Sequence, residues 1–138
     1  MSQSFAALLL AARRERQLVI ATALTDAAPG GQAHQARLAQ QQGAQALELR
    51  ADLLADPAQV RVALTAVRAA SSLPLLLTYR SATEGGKGAG HGQGYEDYLA
   101  SLLQLRLPVA AVDIEMACLA SKALVAEAKA GGYDVVGS

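Results

Sequence analysis

The 138 residues, 52% of them hydrophobic and 17% charged, suit one domain of ordinary size and exclude a disordered chain or a solenoid of charged helical repeats. Lysine plus arginine balances aspartate plus glutamate at 12 each, so bulk charge favours neither nucleic acid nor an anionic membrane; the expected partner is a small molecule. Cys118 is the only cysteine, which rules out an internal disulfide and fits a reducing compartment.

Residues 1–16 read as a helical or extended leader. Their apolar stretch SFAALLLAA is short, has no basic region before it and is followed by Arg13, Arg14 and Arg16, unlike a secretory signal. The expected location is therefore the cytoplasm. QLVIATAL, from Gln17 to Leu24, suits a first strand, and the segment GGQAHQARLAQQQGA after Pro29 suits a helix bounded by glycines, with His34 on its exposed side. QALELRAD then sets Glu48, Arg50 and Asp52 two residues apart, so that on a strand all three share one face. In DPAQVRVALTAVRAASS, Asp56 is the expected cap and Pro57 the first helical residue. PLLLTYR follows as a third strand.

The loop SATEGGKGAGHGQG, expected to be flexible, leads into YEDYLASLLQLR, where Tyr95, Tyr98, Leu99, Leu102 and Leu103 form a helical apolar stripe. VAAVDIEM reads as a fourth strand, CLASKALVAEAKAG as a helix and YDVVGS as the start of a fifth strand. Strand and helix alternate with few hairpin signals, which implies parallel strands, right-handed crossovers and helices on the outside. A covered sheet leaves no face free for casual charge, so Glu48, Arg50 and Asp52, with Arg80 after the third strand and Asp113 and Glu115 on the fourth, point into a crevice or a barrel mouth.

Arg50 and Arg80 together favour a ligand rich in acceptor oxygens, hydroxyls or a carboxylate. Glu48 is placed to accept from ligand hydroxyls while holding Arg50, and Glu84, in the glycine loop, to orient another catalytic side chain. The loop has no Walker lysine followed by serine or threonine, and no dinucleotide fingerprint. His91 has no fixed histidine or carboxylate near it in sequence, and Cys118 reads as a small core residue. Lys87 lies in the loop and Lys122 and Lys129 on an outer helix, so none is a good Schiff-base amine.

Together these motifs resemble the type I 3-dehydroquinate dehydratases. The family's glutamate, arginine and aspartate at alternate positions are matched by Glu48, Arg50 and Asp52. Its threonine, aromatic residue and arginine, then glutamate and two glycines, are matched by Thr78, Tyr79, Arg80, Glu84, Gly85 and Gly86. Its aspartate, aliphatic, acid, aliphatic run is matched by Asp113, Ile114, Glu115 and Met116, and 18 residues separate Met116 from VVGS. The resemblance implies a parallel (β/α) barrel of the TIM type, here about five strands of eight, with residues 1–138 the amino-terminal part of one barrel domain. It implies reversible dehydration of 3-dehydroquinate in the shikimate pathway, through a lysine Schiff base and a histidine general acid/base, with no metal or dissociable cofactor. Glu48, Arg50 and Arg80 would bind substrate and Glu84 would support the histidine, with Asp52, Asp113 and Glu115 in supporting or structural roles. The family's histidine and lysine would lie beyond Ser138, so the expectation is part of a longer chain, inactive by itself. Its open sheet edges would be covered by downstream sequence or by self-association, such as a homodimer. Two other readings stay open: a non-catalytic half-domain that binds a hydroxy acid, and a metal-assisted sugar isomerase using Glu48, Glu115 and His91.

Overall fold

The computed structural model describes residues 4–138; the first three residues of the leader lie outside them. Five strands, β1 (Ala21–Leu24), β2 (Ala46–Arg50), β3 (Leu75–Thr78), β4 (Ala111–Ile114) and β5 (Asp134–Gly137), form one parallel sheet in sequential order. Helices α2 (Pro29–Gln41), α3 (Pro57–Ala70), α4 (Gln93–Gln104) and α5 (Ser121–Ala130) connect successive strands, and α1 (Phe5–Glu15) precedes them. Strands in chain order, each joined to the next through a helix, are the winding of a (β/α) barrel wall. None of the described helices is long and apolar enough to cross a membrane.

Side-chain alternation divides the sheet into two faces. On one, Leu47, Leu49, Leu75, Leu77, Val112 and Ile114 are buried in a cluster with residues of α2 to α5, including Val60, Leu64, Leu99 and Leu124. This outer layer is the main core. On the other face Ala46 and Ala111 are buried against Phe5 of α1, with Leu8, Leu76 and Val136 packed alongside. Asp134 Oδ2 holds the start of α1, accepting from Ser4 Oγ at 3.0 Å and from the Ala6 N–H at 2.9 Å. Helix α1 thus covers the amino end of the inner face and leaves its carboxyl end to the charged residues.

The strands are shorter than their apolar runs. Gln17–Ile20 and Val109–Ala110 lie outside β1 and β4, and Glu115 follows the end of β4. The expected placement of Asp52 on a strand is corrected: β2 ends at Arg50 and Asp52 belongs to a 3₁₀ turn over Ala51–Leu53. A carboxylate at a chain reversal finds free backbone N–H groups, and here they come from the next loop.

Candidate active site

Arg80, two residues past β3, is the centre of the cluster at the carboxyl ends of the strands. Its Nη1 lies 3.0 Å from Glu115 Oε1, 3.0 Å from Ser138 Oγ and 3.4 Å from Glu84 Oε2, and its Nη2 lies 3.2 Å from Asp113 Oδ1. Residues from the loop after β3, from the end of β4 and from just past β5 therefore meet on one guanidinium. The side chain of Arg80 retains 20% exposure, whereas Glu115 is fully buried and Asp113 nearly so. A buried acid needs such a partner, and Arg supplies several directed donors at once.

The two acids respond in opposite senses. Burial pushes the Asp113 carboxyl upward, and a hydroxyl from Ser138 (2.9 Å) with the charge and hydrogen bond of Arg80 only moderates this. Burial also acts upward on Glu115, but hydrogen bonds from Ser81 Oγ (2.6 Å), the Ser81 N–H (2.9 Å) and His91, with the Arg80 charge, outweigh it and hold it below the usual carboxylate range. The number of directed donors decides the sign.

Beside this cluster, Arg50 grips Asp52 in a two-point bridge, Nε to Oδ1 at 2.8 Å and Nη2 to Oδ2 at 2.7 Å. Asp52 also accepts from the backbone N–H groups of Arg80 (3.2 Å) and Lys87 (3.0 Å). Burial raises its carboxyl, and the Arg50 bond with these two amides reverses the shift to a net lowering. The expectation that Glu48 holds Arg50 is corrected here: Asp52 is the hydrogen-bond partner of Arg50, while Glu48 Oε1 accepts from Thr78 Oγ1 at 2.6 Å. The end of the strand explains the difference. The turn after Arg50 swings Asp52 back to the guanidinium, and Glu48 reaches diagonally across the ladder to Thr78, whose register partner is Arg50.

The glycine loop is more tightly built than its composition suggests. Ser81 bridges to Gly88, the Gly88 N–H reaches Arg80 O at 3.0 Å, the Ala89 N–H reaches Tyr79 Oη at 2.8 Å, and the His91 N–H reaches Thr83 Oγ1 at 2.8 Å. A Cβ on Gly86 would overlap the Arg80 carbonyl, and one on Gly88 would come within 2.7 Å of that oxygen and of the Tyr79 ring. Glycine is needed there for close approach. Tyr79 in turn stacks on Tyr98 at 4.2 Å between centroids.

His91 is the residue that sequence reasoning underrated. Its Nε2 lies 2.6 Å from Glu115 Oε2 and 3.9 Å from Glu84 Oε1. The carboxylates near it come from 24 residues downstream and from the far limb of its own loop, a proximity that no local spacing signals. Ser81 was likewise not singled out. Among the described residues, Glu84, His91 and Glu115 gather their ligand-type atoms within 4.8 Å; Glu48, the third member of the isomerase reading, stands outside that trio. The 2.6 Å separation is that of a hydrogen bond, since two ligands on one Zn²⁺ with bonds of ~2.0–2.1 Å stand about 3.3 Å apart. His34 is exposed, Cys118 is buried, and Lys87, Lys122 and Lys129 are exposed, Lys87 in the glycine loop and the other two on α5.

The family model of type I 3-dehydroquinase matches residues 20–138. The chain belongs to that family. It is 43% identical over 95 residues to the 3-dehydroquinate dehydratase of Methanoregula boonei, a match covering 68% of this chain and 43% of the relative. It is 36% identical over 104 residues to that of Methanosarcina barkeri, covering 72% of this chain and 43% of the relative. The solved 3-dehydroquinate dehydratase of Enterococcus faecalis superposes with a TM-score of 0.75 at 26% identity, over 86% of this chain and 52% of that one. Four βα units and a fifth parallel strand thus correspond to about half of a type I dehydroquinase barrel, and the chain spans less than half the length of the curated relatives it matches.

Proposed function

We propose that this chain supplies the substrate-binding mouth of a type I 3-dehydroquinate dehydratase, a hydro-lyase that interconverts 3-dehydroquinate and 3-dehydroshikimate. The observation that supports it is the Arg80 cluster: a partly exposed guanidinium at the carboxyl ends of parallel strands, held by Asp113, Glu115 and Ser138 and flanked by Glu84. Arg80 and Arg50 offer N–H groups to the ring hydroxyls, and Glu48 accepts from one. Asp52 fixes Arg50, and Asp113 and Glu115 fix Arg80, so the donors are oriented before the ligand arrives.

Dehydration also requires an amine and an acid/base. In this reading a lysine condenses with the ring ketone and releases water. The iminium accepts the electron pair as the neighbouring proton leaves for a histidine, the carbon–oxygen bond breaks with a proton delivered to the departing hydroxide, and hydrolysis returns the lysine. Neither group is assigned within residues 1–138: the three lysines are exposed rather than desolvated, and His91 is taken up by Glu115. Glu84 would support the histidine. No metal or dissociable cofactor enters the scheme.

The test uses the 138-residue polypeptide, mass confirmed, with 3-dehydroquinate. Calorimetry should show saturable binding that Arg80→Ala weakens by roughly 100-fold, as the loss of a charge-assisted anchor implies. The absorbance of 3-dehydroshikimate should not rise, and borohydride should trap no substrate adduct. Turnover by this polypeptide, or binding indifferent to Arg80, would overturn the assignment.

A further inference from the structure

We infer that His91 is a positioning residue of this site: its ring N–H, given to Glu115, latches the glycine-rich loop between β3 and α4 and sets where Glu84 stands over Arg80. Glu115 is held as a carboxylate and has no proton to give, so at 2.6 Å the hydrogen lies on His91 Nε2. Near its root the loop is tied by backbone bonds to Arg80, Ser81 and Asp52. Its far limb, Gly90 to Gly92, reaches the end of β4 through the His91 ring, which also meets the Tyr95 ring edge-on at 5.7 Å. Glu84 accepts from Arg80 Nη1 at 3.4 Å with Oε2, and its Oε1 stands 3.9 Å from His91 Nε2, beside the ring but not hydrogen-bonded to it, since the one N–H there is given to Glu115.

Without the imidazole, Glu84 keeps its 3.4 Å contact to Arg80 but loses the ring that stands against its other oxygen, and Glu115 Oε2 keeps only Ser81. Glu84, the carboxylate that would support the histidine in that function, then loses its fixed direction. A metal ion is the competing occupant of the Glu84, His91 and Glu115 trio, but the Arg80 guanidinium touching both acids is already the cation there. The consequence for substrate rests on the function proposed above; the latch does not.

The experiment compares wild type, His91→Ala and His91→Gln in the 138-residue chain by amide hydrogen exchange, then by 3-dehydroquinate titration. Alanine should speed exchange at Glu84, Gly88 and Ala89 by roughly tenfold, about what one charge-assisted hydrogen bond is worth, and leave Leu77 and Val112 unchanged. Glutamine, whose amide N–H reaches the same carboxylate, should restore protection to within about threefold and recover most of the lost affinity. Unchanged loop exchange in the alanine variant overturns the latch, as does a glutamine variant that exchanges like alanine. A wild type that fails to bind 3-dehydroquinate but shows the exchange pattern supports the latch and removes the function.

Discussion

Asp113 and Glu115 stand two residues apart, share one guanidinium and shift in opposite directions, which gives the site a testable pH signature. Glu115 and Asp52 are held below their unfolded values, so their stabilisation is present above the ordinary carboxylate range and is lost as pH falls through the folded values. Asp113 is raised and acts the other way: its contribution is full in acid and is lost as pH rises through its folded value. Glu115→Gln should therefore cost about 2 kcal/mol near neutrality and flatten the fall in stability below about pH 4, read by urea unfolding across that range. Equal acid sensitivity in variant and wild type would show that Glu115 does not carry the effect. Sequence reasoning found Glu48, Arg50, Arg80, Asp113 and Glu115 because charge in an apolar strand is conspicuous. It misassigned the partner of Arg50 because a strand pattern carries no record of where the strand stops.

At the scale of elements, the helix α3 was legible in full: Asp56 Oδ1 accepts from the Gln59 N–H at 2.9 Å and Pro57 opens the helix, both local features with local causes. The loop between β3 and α4 was not. Glycine there suits tight turns and close backbone approach, and Gly86 and Gly88 do lie against the Arg80 carbonyl and the Tyr79 ring, but the partners themselves and the bonds that hold the loop have no local signal. Gly88→Ala should consequently displace the loop. The expected result is a tenfold or greater loss of 3-dehydroquinate affinity, an approximate figure for a misplaced anchor, with thermal unfolding changed by only a few degrees. Unaltered affinity would mean that the loop is not part of the binding surface.

At the scale of the whole molecule, the described residues form one open sheet with two unpaired edges, β1 and β5. Beside the β1 edge Leu18 is 89% exposed and Ile20 58%, and past β4 Leu119 is almost fully exposed. An uncovered parallel edge beside apolar side chains favours pairing with another chain. The 138-residue polypeptide should self-associate in sedimentation experiments, its mean mass rising with concentration, and Ile20→Lys should reduce that association. A strictly monomeric wild type would indicate that the edges are protected by the twist of the sheet.

The sequence by itself determined the order of strands and helices, their parallel sense, the outer apolar layer and the charged residues past the strand ends, because each follows from periodicity within about ten residues. Only the tertiary structure decided which acid pairs with which arginine, that Asp52 leaves its strand, and that His91 closes on Glu115. Those outcomes depend on register between strands and on where each strand stops, and contacts across 24 to 58 residues have no local signal.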